Sequence, residues 1–335
     1  MYCDGCRRRR CGDGKTEGII SFRYRKAVVA RQPVAGLFCY GKERVVLIGL
    51  LKTMRPRQWP KNGFVYVALF FDSKLTHLPS LLHVTLAFLL LCLMSSAVYI
   101  MNDLADIESD RQHPTKRKRP LPSGQLDPNV ARVAAVLFAL GSLTAGLLID
   151  IQFGLILLSY LLMQIAYTFR LKHVVLIDVS IVATGFVLRI AAGVAIIEVE
   201  RFSPWLYIFG GFLALFMALG KRRQELVLLG AGAGSHRAIL EEYSLELIDR
   251  LLGIVTTSAI VAYSLYTFLA EGLPANHTMM LTIPFLIYGI FRYLYLIHIR
   301  GEGGAPEEIL LRDRPLQASV VLFGVMVFVA LYILV

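Results

Sequence analysis

LLHVTLAFLLLCLMSSAVYIMNDLADIESD, residues 81–110, is a long apolar run that ends in Asn102 and four acids. Between residues 81 and 102 it carries no Asp, Glu, Lys or Arg. A helix needs about 20 such residues to cross roughly 30 Å of hydrocarbon. Directly after it comes His113-Pro114-Thr115-Lys116-Arg117-Lys118-Arg119-Pro120. Acids followed at once by bases, at the end of a membrane-length helix, are costly to keep at that depth and are read as functional.

The same pattern recurs outward from this stretch. The chain is 56% hydrophobic with a mean hydropathy of +0.61, more apolar surface than a soluble fold of 335 residues hides. Apolar runs fall near 62–72, 81–103, 130–149, 151–169, 174–198, 204–220, 250–270, 279–298 and 316–335. Backbone groups in lipid must be satisfied within their own segment, so the expected fold is all-α: a polytopic bundle of about nine membrane helices. The first span is the weakest, with a short apolar core from Phe64 to Phe71.

Charge sets the expected orientation. With the amino terminus cytoplasmic, the inner segments are 1–61, 104–129, 170–173, 221–249 and 299–315, and they hold 29 of the 35 Lys and Arg. The opposite loops hold only Lys74 and Arg201. That asymmetry is the positive-inside pattern. It places the charged motifs on the cytoplasmic face of a cell membrane, the plasma or inner membrane.

Residues 1–61 carry 15 bases against Asp4, Asp13, Glu17 and Glu43, which accounts for the whole net charge of +11. A pI near 9.5 therefore describes a basic tail that attracts anionic membrane lipids, and it does not mark a nucleic-acid surface. Residues 1–47 read as a basic, disordered extension preceding a membrane domain at 48–335. The tail contains Cys3, Cys6, Cys11 and Cys39. Cys3-x-x-Cys6 is half a zinc motif, but no second pair follows and Arg7 to Arg10 intervene. The tail has no apolar core of the kind a signal peptide needs.

The acids at the end of the second span are spaced for a shared flank. On a helix Asn102, Asp106 and Asp110 recur at i+4, and Asp103 to Asp106 is i+3. Glu108 points elsewhere. Oxygen-only donors suit a hard cation, and magnesium takes one or two carboxylates together with waters and substrate phosphates. The plainer alternative is an acidic helix end neutralised by the bases that follow it. Those bases, Lys116, Arg117 and Arg119 among them, can also bind phosphate. A second cluster is Tyr167, Arg170, Lys172 and His173, followed by Asp178. A third is Lys221-Arg222-Arg223-Gln-Glu225. Arg189, mid-span, needs a partner, and Asp178 or a bound anion are the candidates.

These residues resemble the UbiA superfamily of intramembrane prenyltransferases, through NDxxDxxxD at the end of the second of nine helices. Several stretches are closest to its decaprenyl-phosphate phosphoribosyltransferase branch. They are Arg55-Pro-Arg57-Gln-Trp59-x-Lys61-Asn62, the HPTKRxRP run at 113–120, Leu171-Lys172-His173 with Asp178, and Gly220-Lys221-Arg222-x-x-Glu225. Arg292-Tyr293, Pro306-Glu307-Glu308 and Leu311-Arg312-Asp313-Arg314 complete the set. The resemblance runs over about residues 50–335.

It implies transfer of a 5-phosphoribosyl group from phosphoribosyl diphosphate to a polyprenyl phosphate, with Mg2+ held by Asn102, Asp103, Asp106 and Asp110. Asp103, Asp106, Asp110 and Asp178 are then the expected catalytic acids. Lys61, Asn102, Lys116, Arg117, Arg119, Tyr167, Lys172, Arg189, Lys221, Arg222 and Glu225 are the expected substrate contacts. Many aromatic prenyltransferases carry a second motif, DxxxD; here Asp178 is followed at i+4 by Val182. That departure argues against the nearest rival, prenyl transfer to an aromatic acceptor such as 4-hydroxybenzoate. A transporter or lipid translocase is the rival from another class; it would show inverted repeats and broken midplane helices, and the sequence has no internal repeat. Gly230-Ala-Gly-Ala-Gly234 reads as a flexible loop near the site. Oligomeric state stays open, a homo-oligomer included.

Overall fold

The computed structural model describes residues 46–335 apart from 198, 200–202, 230–237, 272, 275, 302–305 and 335. The tail cysteines and the Gly230–Gly234 loop lie outside the described residues, as do the side chains of Pro306, Glu307 and Glu308.

Helix α1 covers residues 46–53, and a 3-10 helix, Pro56–Val65, leads into the short α2, Tyr66–Phe71. Then come α3 (Leu78–Ala105), α4 (Ile107–Gln112), α5 (Pro128–Ile149), α6 (Ile151–Phe169), α7 (Ile177–Ile196) and α8 (Pro204–Leu229). The chain closes with α9 (Leu245–Leu269), α10 (Ile283–His298), α11 (Pro306–Arg312) and α12 (Arg314–Tyr332). Among the described residues eight helices are long and apolar enough to cross a membrane.

The remaining expected span, 62–72, is built differently. Pro56 and Pro60 lack an amide N–H, and the chain takes the tighter 3-10 winding before α2. At about 2.0 Å per 3-10 residue and 1.5 Å per α residue, Pro56–Phe71 runs about 29 Å, of which the part from Asn62 onward covers only about 17 Å, short of the roughly 30 Å of hydrocarbon. It packs on α7 so closely that a Cβ on Gly193 would stand 2.0 Å from the Val65 carbonyl oxygen.

Local chemistry sets the other boundaries. Asp127, Asp150, Ser244 and Asp313 each cap a helix by accepting backbone N–H groups of the first turn, at 2.7 Å for Asn129 and for Phe153. Asp150 alone joins α5 to α6, and this sharp reversal needs Gly154, since a Cβ there would stand 2.8 Å from the Leu147 Cα. α3 is the central post, 61% buried over its most apolar window, whereas α5 is 17% buried and presents Val133, Leu137 and Leu140 outward, as a lipid-facing helix does.

One apolar core joins α2, α3, α6 and α7 around Leu69, Met94 and Phe153. A second gathers α7, α8, α9 and α10 around Ile248, Leu252 and Leu296. The charged ends of α3, α6, α7 and α8 gather at one end of this bundle.

Candidate active site

The helix carrying the acids breaks where the sequence pattern expected it to continue. α3 ends at Ala105, Asp106 sits at the junction with φ −97° and ψ 9°, and α4 resumes at Ile107. Like charges at i+3 and i+4 repel along a helix unless a cation lies between them. Asp103 and Asp110 are almost fully buried, at 3% and 2% exposure. Asp106 keeps 43% of its side chain exposed. Glu108 turns away to pair with Arg111 at 2.7 Å.

Four bases from three segments close around these acids. One nitrogen of Arg119 lies 3.2 Å from Asp103 and 2.7 Å from Asp110, between the two carboxylates. Lys116 stands 3.7 Å from Asp110, and Lys172 lies 3.1 Å from Asp106. Arg55 pairs with Asp103 and stacks over Tyr99 at 5.0 Å. The acids are thus neutralised by cations, in keeping with the plainer reading of the sequence. Arg55 was visible within its motif but was not singled out there. It sits in the left-handed region at φ 54°, a conformation that costs a non-glycine residue about 1–3 kcal/mol and recurs at functional positions. Asn102 accepts a hydrogen bond from the Thr168 hydroxyl. Arg117 is exposed on the 3-10 turn Lys116–Lys118.

Beside this rim lies a cavity of about 400 Å³ between the 3-10 helix, α6, α7 and α8. Lys61, Tyr167, Lys221, Arg222 and Glu225 supply its polar wall, and Phe64, Val182, Phe186 and Met217 much of its apolar one. Tyr167 adjoins the Thr168 that holds Asn102, so cavity and rim are neighbours.

Asp178 stands behind the cavity wall with no exposed surface. Its oxygens accept from Arg222 at 2.5 Å and from the Tyr243 hydroxyl at 2.6 Å, and Arg222 also pairs with Glu225. Both oxygens being engaged, Asp178 acts on the cavity through Arg222. Leu176, just ahead of it, holds φ at 65° and donates its N–H to Tyr243 at 2.8 Å. Burial, with the Asp178 hydrogen bond adding to it, pushes the Tyr243 hydroxyl up to about 12.

The expectation for Arg189 is corrected. It does not meet Asp178: it donates to Asn62 at 2.8 Å, to the Gly185 carbonyl at 2.6 Å and to Tyr160 at 3.1 Å. It also lies 4.9 Å from the Tyr160 ring centroid and 5.7 Å from that of Phe186. Neutral acceptors and ring faces hold this buried cation, because the polar face of the 3-10 helix brings Asn62 to it.

Among the described residues no three acidic, histidine or cysteine side chains converge into a cage for a metal ion. Asp103 and Asp110 share Arg119, and Asp106 is half-open. The donor set suits a hard cation that takes one or two carboxylates here and its remaining oxygens from phosphates and water, and it does not suit an all-protein site.

An all-helical membrane bundle with a charged, cavity-bearing rim is the architecture of an intramembrane transferase. The chain matches the UbiA prenyltransferase family over residues 63–307 and belongs to that family. It is 34% identical over 293 residues to the decaprenyl-phosphate phosphoribosyltransferase of Mycobacterium tuberculosis H37Rv, covering 86% of this chain and 93% of that protein. It is 33% identical over 302 residues to the enzyme of the same name from Corynebacterium glutamicum, covering 85% and 87%. Among solved structures it resembles a UbiA homolog from Archaeoglobus fulgidus bound to DMAPP and Mg2+, with a TM-score of 0.63 at 21% identity over 85% of this chain and 99% of that one. That likeness is one of fold.

Proposed function

We propose that this protein transfers the 5-phosphoribosyl group of phosphoribosyl diphosphate to a polyprenyl phosphate, giving polyprenyl-phosphoryl-5-phosphoribose and diphosphate. The observation that carries the reading is the pairing of two adjacent sites. One is an acidic rim crowded with Arg55, Lys116, Arg119 and Lys172, suited to a highly phosphorylated soluble donor. The other is a cavity with Lys61, Lys221 and Arg222 on its polar wall and phenylalanines on its apolar one, suited to a lipid with an anionic head. Identity of about 34% to the decaprenyl-phosphate phosphoribosyltransferases over most of both chains supports the same assignment.

In the reaction the bond between ribose C1 and the diphosphate oxygen breaks, and the diphosphate leaves with the electron pair. An oxygen of the polyprenyl phosphate forms the new bond from the opposite face. That oxygen is already anionic, so no protein base has to remove a proton, and catalysis rests on positioning and charge stabilisation. Of Asn102, Asp103, Asp106 and Asp110, one or two carboxylates would hold Mg2+, with phosphate and water oxygens completing its shell, and the ion would supply neutralisation of the diphosphate. Arg119 and Lys116 are placed to hold donor phosphates. Lys172 tethers Asp106, and Lys61, Lys221 and Arg222 receive the acceptor phosphate while the apolar wall takes the start of its tail.

The inner-face location of bases in the sequence supports a cytoplasmic site and amino terminus in the cell membrane. Residues 1–47 are then a basic extension outside the catalytic domain at 48–335.

The test is a membrane assay with radiolabelled phosphoribosyl diphosphate, polyprenyl phosphate and magnesium, run beside Asp106→Ala. Magnesium-dependent label in the organic phase, lost in the variant, is expected. Product from prenyl diphosphate and an aromatic acid, with none from phosphoribosyl diphosphate, would sink the assignment.

A further inference from the structure

The chemistry above makes no use of the Tyr243 hydroxyl, yet the hydroxyl is built tightly into the site. Tyr243 follows the 3-10 segment Ala238–Glu242 in the connection between α8 and α9, remote in sequence from both partners. Its oxygen accepts the Leu176 N–H at 2.8 Å and donates to Asp178 at 2.6 Å. The other Asp178 oxygen takes one nitrogen of Arg222 at 2.5 Å, and a second Arg222 nitrogen pairs with Glu225. The third, Nε, is buried with no partner among the described residues. Arg222 therefore depends on Asp178 and Glu225 for its position, and both Arg222 and Glu225 line the cavity. All three members of the relay are buried, with Tyr243 at 5%, Asp178 at 0% and Arg222 at 6% exposure, so a change at one end has little slack to absorb it. Leu176 adds a second constraint: its left-handed φ of 65° at the start of α7 is held by the same hydroxyl.

We propose that Tyr243 is a positioning residue for the acceptor site: through Asp178 it sets Arg222 against the phosphate of the polyprenyl substrate. The proposal rests on the reading that the cavity binds polyprenyl phosphate. The hydroxyl stays protonated throughout the neutral range, burial having moved its titration up to about 12, so it donates to Asp178 at every working pH. Ile239 and Leu240 are buried independently of the hydroxyl, so removing it leaves the segment docked.

The experiment uses the full-length protein in detergent, wild type beside Tyr243→Phe, with each substrate varied in turn. The KM for polyprenyl phosphate rises about tenfold, the order of one hydrogen bond to a charged group, while donor KM and kcat stay within twofold. In an Asp178→Asn background the same substitution adds nothing further. An unchanged acceptor KM, equal shifts in both KM values, or a fall in kcat alone overturns the proposal. If the wild type transfers nothing from phosphoribosyl diphosphate, the functional assignment fails, and polyprenyl phosphate binding is read directly by thermal shift. There a weaker affinity in Tyr243→Phe sustains the positioning role, and equal affinity overturns it.

Discussion

Asp106 and Asp178 stand at the same end of the bundle and are held in opposite ways. Asp106 sits at a helix break, 43% exposed, paired with one flexible lysine. Asp178 is sealed from solvent between an arginine and a tyrosine. An exposed carboxylate can exchange its lysine for a metal or a substrate group at small cost. A buried one cannot give up its arginine without leaving an uncompensated charge. In the proposed reaction the first acid would meet ligands, and the second would hold the protein groups that do.

This contrast breaks most visibly at Asp178. Asp178→Ala strands Arg222 in a dry site and costs about 3–5 kcal/mol, read as a lowered Tm of the detergent-purified protein. A Tm within a degree or two of wild type would remove the distinction between the two acids. Asp106→Ala should do the reverse, with Tm nearly unchanged and the transfer rate reduced about 10²–10³-fold, the size of losing one charge-stabilising group.

Arg189 sharpens the comparison from within the bundle, since it is a buried charge without a carboxylate. Asn62→Leu removes an acceptor from its guanidinium and costs about 1–3 kcal/mol in stability, measured by thermal unfolding. Equal stability would mean that Tyr160 and Gly185 suffice.

The smallest effect concerns Asp313, which caps α12 outside the membrane. The hydrogen bond from Arg292, at 2.8 Å, holds its carboxyl below the usual range. A depressed carboxyl contributes stability that is fully present above its unfolded pKa of about 4 and is lost as pH falls through the lower folded value. The Tm difference between wild type and Asp313→Asn is therefore largest at neutral pH and narrows below about pH 4. A constant difference from pH 7 to 3 would assign the effect to the cap alone.

The membrane-spanning helices were legible because each depends on its own composition; the caps Asp127, Asp150 and Asp313, which set their exact boundaries, were not singled out in the sequence. The acidic rim was legible for the same reason: Asn102 to Asp110 and Lys116 to Arg119 are near neighbours in the chain. The first span was less so. Its prolines were visible, but its close approach to Gly193 of α7 was not, since it joins residues far apart in the chain. Arg189 was recognised as needing a partner, and of the partners expected Asp178 is replaced by Asn62 and Tyr160, which reach it from other helices. Tyr243 carried no signal at all, because nothing local distinguishes it from the other tyrosines.

From its sequence alone, then, this chain declares itself a helical membrane protein with acids and bases gathered at one face, and it carries the motifs of its family. Apolar length, charge asymmetry and i+4 spacing are each read within a single segment of chain and need no packing partner. Which charges meet was left to the tertiary structure. Arg55 on Asp103, Arg222 and Tyr243 on Asp178, and Asn62 on Arg189 each join segments distant in the chain. Their pairing follows from how the helices pack, and a buried charge settles on whatever acceptor that packing brings within about 3 Å.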